Sequence, residues 1–180
     1  MLKNTRSAYG WISISLHWLM ALLIFGLFGL GLYMVDLSYY DPWYRDSLDL
    51  HKSLGILVSV LLLLRMAWRF FGVAPAHLPG PRWEQRSAHL MHRALYLVML
   101  LLVCSGYLIS TADGRAIGVF GVVQIPALPW SIDRQEDIAG WIHEVLAWGL
   151  MGMVAIHTLA AAKHQFINRD NGLMRIFKAG

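Results

Sequence analysis

Charge is scarce in this chain. Asp, Glu, Lys and Arg make up 14% of its 180 residues, against about a quarter in an ordinary soluble domain. Proline is scarce too: the chain has six, and none interrupts its four long apolar runs. That removes the broken mid-membrane helices by which many transporters bind ions. Cysteine occurs once, as Cys104 within an apolar run. A lone thiol forms no internal disulfide, and the absence of a C-x-x-C-H motif excludes covalent c-type haem attachment. No internal repeat or low-complexity segment is visible. A net charge of +4 does not imply nucleic acid, because the basic residues gather in particular loops.

What is abundant is apolar surface, 57% of residues, in long blocks divided by short charged loops. A membrane-spanning helix needs about 20 mostly apolar residues, and four such runs are predicted, at about 11–35, 50–71, 89–111 and 137–162. The first exceeds a signal-peptide core and no small-residue cleavage site follows it, so a retained helix is expected. The second is the weakest run. Its Arg65 and Arg69, one turn apart, are expected to snorkel to the interface. Turn residues separate the runs: Asp41-Pro42, then Pro75, Pro79, Gly80 and Pro81, then Asp113-Gly114, Pro126 and Pro129. The expectation is an all-α, single-domain, four-helix membrane bundle.

Basic residues set the topology. Lys3, Arg6, Arg65, Arg69, Arg82, Arg86, Arg93, Lys163, Arg169, Arg175 and Lys178 fall on one side of such a bundle. Only Arg45, Lys52, Arg115 and Arg134 fall on the other. The positive-inside rule then places both termini in the cytoplasm. Most acids, including Asp36, Asp41, Asp46 and Asp49 around the first outer loop, lie outside.

Of eight histidines, His77 reads as a solvated loop residue. The others lie in or at the ends of the helices, where ionisable groups are costly and usually functional. By depth, His17 matches His157 toward the cytoplasm, and His51 matches His143 toward the outside. A single such histidine could merely hydrogen-bond a neighbouring helix, but four at matched depths fit that reading poorly. His143 and His157 are 14 residues apart, which is about 21 Å of rise and nearly four turns, leaving both rings on one helix face. A haem takes axial ligands from opposite sides of its iron, so the fourth helix can serve two haems. Gly26, Gly29, Gly31, Gly55, Gly149 and Gly152 leave room for a macrocycle or serve ordinary helix packing equally well. His89, His92 and His164 are reserve ligands, propionate partners, quinone contacts or plain interfacial residues. Arg115 suits a propionate contact or a solvated loop.

Several motifs together resemble one family. They are Ile14-Ser15-Leu16-His17-Trp18, Leu50-His51-Lys52-Ser53-Leu54-Gly55, Ala88-His89-Leu90-Met91-His92, Ser105-Gly106-Tyr107-Leu108-Ile109-Ser110, Trp141-Ile142-His143-Glu144, Ile156-His157 and Ala162-Lys163-His164. In order and spacing the chain is similar to prokaryotic cytochrome b561, small four-helix dihaem proteins of the bacterial inner membrane. The resemblance implies two haem b groups, with His51 and His143 holding the outer one and His17 and His157 the cytoplasmic one. It also implies a quinone-linked redox role, with ubiquinone near His164 and an outer-side or periplasmic partner, and superoxide oxidation as one family activity. The acids of the first outer loop oppose the approach of an anion such as superoxide. Two other readings compete. One is a haem b anchor subunit of a larger oxidoreductase complex. The other is a histidine-based metal or proton transporter, for which only Glu144 supplies an intramembrane carboxylate.

Overall fold

The computed structural model describes residues 1–76, 80–170 and 172–179. His77 therefore lies outside the described residues. Four long helices dominate: α1 (Trp11–Val35), α2 (Tyr44–Phe71), α3 (Arg82–Ser110) and α4 (Gln135–Lys163). Each is long and apolar enough to cross a membrane. The core is thin and many large apolar side chains face outward; Leu22 is 67% exposed and Leu159 69%. In a bilayer that surface meets lipid, so outward leucines satisfy the solvent instead of violating it.

Two helices start earlier than their apolar runs. α2 begins at Tyr44, not near residue 50, and α3 at Arg82, not near residue 89. The reason is capping. Asp46 and Glu84 occupy the first turns, where a carboxylate complements the helix dipole. The amides of Glu84 and Gln85 donate to the Pro81 carbonyl. Apolar content locates the span in lipid, while the hydrogen-bonded helix runs on into the polar layer. His51 is thus two turns inside α2, not at its start. Ahead of α2, the amide and hydroxyl of Ser38 both donate to Asp41 Oδ2, at 2.7 and 2.8 Å. These bonds hold the Asp41 carboxyl below the usual carboxylate range.

The loop between α3 and α4 contains strands, which the helical pattern did not predict. β1 (Ile117–Val119) pairs antiparallel with β2 (Val123–Ile125). Phe120 and Gly121 both have positive φ, 49° and 70°, the signs a type I′ turn requires. The Phe120 amide donates to Ser53 Oγ at 3.0 Å, which anchors this hairpin to α2 two residues past His51.

The helices contribute to two compact units. One contains 1–19, 62–99 and the chain from 148 onward. There the N-terminal segment, the α2–α3 connection and the C-terminal tail are tied together. Ala76 N donates to Arg6 O, Arg175 donates to Ala76 O and Ser7 O, and Trp18 Nε1 donates to Ile176 O. The other unit contains 20–61 and 100–147.

Candidate functional site

The second unit holds one pair of imidazoles. His51 comes from α2 and His143 from α4, with ring centroids 6.3 Å apart and planes at 68°. A nitrogen–metal bond of about 2 Å, with the ring centre about 1.2 Å behind the nitrogen, puts two rings on opposite sides of one metal about 6.4 Å apart. The observed separation matches. His143 Nδ1 lies 3.1 Å from the Leu102 carbonyl and 3.0 Å from Ser105 Oγ. A carbonyl only accepts, so Nδ1 carries the proton and Nε2 keeps its lone pair. This is the outer support by which a metal-bound histidine is normally oriented. His51 Nδ1 is buried with no hydrogen-bond partner among the described residues. Two glycines make room for the rings. A Cβ on Gly106 would stand 3.2 Å from His143 Cε1, and one on Gly31 3.4 Å from His51 Cε1. At Gly26, Gly29, Gly55, Gly149 and Gly152, the other glycines noted in the sequence, no described residue outside the local helix backbone comes within 4 Å of such a Cβ.

The first unit gathers His17 (α1), Arg65 (α2), His92 and Tyr96 (α3), and His157 (α4). His17 is within electrostatic reach of both His92 and His157. The ring facing His157 is that of His92, at 5.3 Å and 67°, about 1 Å closer than two rings flanking a metal. Depth along the chain matched His17 with His157 and left His92 among the reserve ligands. Arg65 does not snorkel outward. Its Nη2 lies 3.1 Å from His17 Nδ1, and its Nε donates to Tyr96 Oη at 3.0 Å. His89 Nδ1 lies 2.8 Å from the Gln85 carbonyl of its own helix. Trp18 packs on Phe177 at 4.9 Å.

At the end of α4, His164 Nδ1 bonds the Asp170 carboxylate, and its Nε2 stands 4.0 Å from Glu84 Oε2. Lys163 pairs with the other oxygen of Glu84. In the α3–α4 loop Arg115 pairs with Asp113, and these bonds hold that carboxyl below its usual range. The Arg115 side chain is 84% exposed.

Among the described residues, no group of three or more His, Cys, Asp or Glu side chains is placed to hold a bare metal ion. Opposed imidazoles suit instead a metal that brings four equatorial ligands of its own, as haem iron does. The sequence family of prokaryotic cytochrome b561 matches residues 8–179. The chain belongs to this family. It is 45% identical over 177 residues to cytochrome b561 homolog 2 of Escherichia coli K12, covering 96% of this chain and 93% of that protein. Cytochrome b561 homolog 1 of the same organism is 30% identical over 131 residues, 71% of this chain and 73% of the relative. A protein of Yersinia pestis named probable superoxide oxidase CybB is 28% identical over 170 residues, 93% of this chain and 94% of the relative. As a cytochrome b561, the chain is a multi-pass bacterial membrane haem protein of electron transport, and the family implies haem b.

Sequence reasoning missed several contributors to this cytochrome's clusters. Ser105 and Gly106 stood only as part of a motif, and their adjacency at the end of the apolar stretch 97–104 was the available signal. Arg65 was visible as a charge inside a span. Nothing in the chain pointed to Glu84 and Asp170 as neighbours of His164.

Proposed function

We propose that this cytochrome b561 carries two haem b groups and passes electrons between an outer-side donor or acceptor and the ubiquinone pool of the bacterial inner membrane. The observation that carries this reading is the His51–His143 pair, at 6.3 Å, with His143 Nδ1 held by Leu102 and Ser105. In this reading His51 and His143 hold the outer haem, and His17 and His157 the cytoplasmic one. Each bound haem supplies a one-electron iron couple.

The chain's own residues do the rest. Leu102 and Ser105 fix the His143 tautomer, and Gly31 and Gly106 leave the rings their space. α4 contributes an imidazole to each centre. His164, bonded through Nδ1 to Asp170, presents Nε2 toward Glu84, an arrangement suited to moving a proton at a quinone oxygen. The mutual hydrogen bonds of the N-terminal segment, residue 76 and the C-terminal tail support both termini on one side, and the bias of basic residues makes that side cytoplasmic.

The test is bound haem per polypeptide, by pyridine haemochrome on detergent-purified protein, with a reduced-minus-oxidised spectrum. Two b-type haems per chain with bis-imidazole spectra are expected. Protein made with ample haem that binds none would overturn the reading. Superoxide as the outer donor is a second reading, motivated by the name of the Yersinia pestis relative.

A further inference from the structure

The two imidazole clusters differ in what stands beside Nδ1. At His143 it is a carbonyl and a hydroxyl. At His17 it is the Arg65 guanidinium, 3.1 Å away. Guanidinium only donates and stays charged at all working pH. His17 Nδ1 therefore accepts, and a permanent positive charge sits against the ring. Tyr96 fixes that charge in place, accepting from Arg65 Nε at 3.0 Å while its ring lies 5.9 Å from the guanidinium carbon. Among the described residues no carboxylate forms a salt bridge with Arg65. An unneutralised cation inside an apolar span is costly, so its retention beside a histidine cluster calls for an electrostatic role.

We propose that Arg65 makes the two haem centres electrically unequal. It holds the His17–His157 centre at the higher midpoint potential, which favours electron flow from the His51–His143 centre toward the quinone side. The inference rests on the dihaem reading above. Reduction lowers the charge of a centre by one, and a fixed neighbouring cation stabilises the reduced form, strongly where the dielectric is low. Ligation of His17 through Nε2 places the remaining proton on Nδ1 and frees the Arg65 Nη2 donor. The Tyr96 bond keeps that donor in the cluster, where a propionate is the acceptor of matching chemistry. Removing the cation withdraws positive charge from this centre whichever acceptor it uses. The step favoured is a single-electron transfer: the His51–His143 centre is oxidised by one electron and the His17–His157 centre reduced by one, with no bond made or broken.

Optical redox titration of the purified holoprotein tests this, with haem content measured on the same samples. The two midpoints are assigned with His143→Ala, which retains only the His17–His157 centre. Arg65→Gln is expected to keep two haems and to lower only that centre's midpoint. The expected change in its electron affinity is tenfold or more, about 59 mV for a one-electron couple. Arg65→Lys, which keeps the charge, is expected to hold the wild-type midpoint, and Tyr96→Phe to shift it the same way as Arg65→Gln but less. Two haems with both midpoints unmoved, or moved equally, in Arg65→Gln overturn the inference and leave the dihaem reading standing. If Arg65→Gln loses the haem, the other two variants decide. A lowered midpoint in Arg65→Lys, or an unmoved one in Tyr96→Phe, then overturns it. Wild-type protein with fewer than two haems overturns both ideas together.

Discussion

Gly106 lies against the ring of His143, so closely that a Cβ at that position would stand 3.2 Å from Cε1. The preceding residue, Ser105, meets the same ring through its hydroxyl at 3.0 Å from Nδ1. One turn of α3 thus both orients the imidazole and gives it room. Gly106→Ala should push the ring off its position and weaken or perturb the haem that the proposed function assigns to His51 and His143. The measurement is haem content with a low-temperature spectrum. An unaltered spectrum at full occupancy would contradict a haem-positioning role for this contact. Ser105→Ala should be milder, costing about 1 kcal/mol, because the Leu102 carbonyl remains to accept the Nδ1 proton.

Removing one ligand should remove one haem. His143→Ala is expected to leave one haem b per chain, that of the His17–His157 centre, and His157→Ala is expected to leave the other. If neither variant loses haem, the pairing is wrong. His92→Ala adds a discriminating case, since the His92 ring faces His157 at 5.3 Å. Under the proposed pairing it keeps both haems, whereas loss of one would make His92 the ligand in place of His17.

In the proposed function the quinone contact is His164. Replacing it with alanine should slow quinone-linked turnover by about 10²- to 10⁴-fold, the usual contribution of a proton-transferring group, with both haems retained and reducible by dithionite. Stopped-flow reoxidation of the reduced protein by a soluble ubiquinone analogue reads this directly. Wild-type reoxidation rates in His164→Ala would move the quinone contact elsewhere.

Around the connection between α1 and α2 lie Asp36, Asp41, Asp46 and Asp49. The Ser38 hydrogen bonds favour the ionised form of Asp41, so on lowering the pH it should keep its charge to a lower pH than an ordinary aspartate. This anionic edge should slow an anionic donor, and the effect should weaken with salt. Changing Asp46 and Asp49 to lysine should therefore speed superoxide-driven haem reduction at low ionic strength. An unchanged rate would mean that these acids do not govern access.

The four spans were legible because lipid imposes a coarse rule: about 20 apolar residues, with the helix satisfying its own backbone. The starts of α2 and α3 were less legible. Asp46 and Glu84 there look like loop charge, yet they stabilise first turns in the polar layer. The β1–β2 hairpin was hidden in a longer stretch rich in turn residues, and its anchor, Ser53 to the Phe120 amide, joins residues 67 apart.

By itself the sequence determined the membrane class, the number of helices and the family, because each follows from composition, period and motif order along one chain. It also named all four histidines of the proposed centres. Only the tertiary structure decided what stands beside each ring: Ser105, Leu102 and Gly106 at His143, Gly31 at His51, Arg65 at His17, and His92 against His157. Those neighbours come from other helices. Helix rotation and packing place them, and the spacing of residues within a single helix carries no information about the face its neighbour presents.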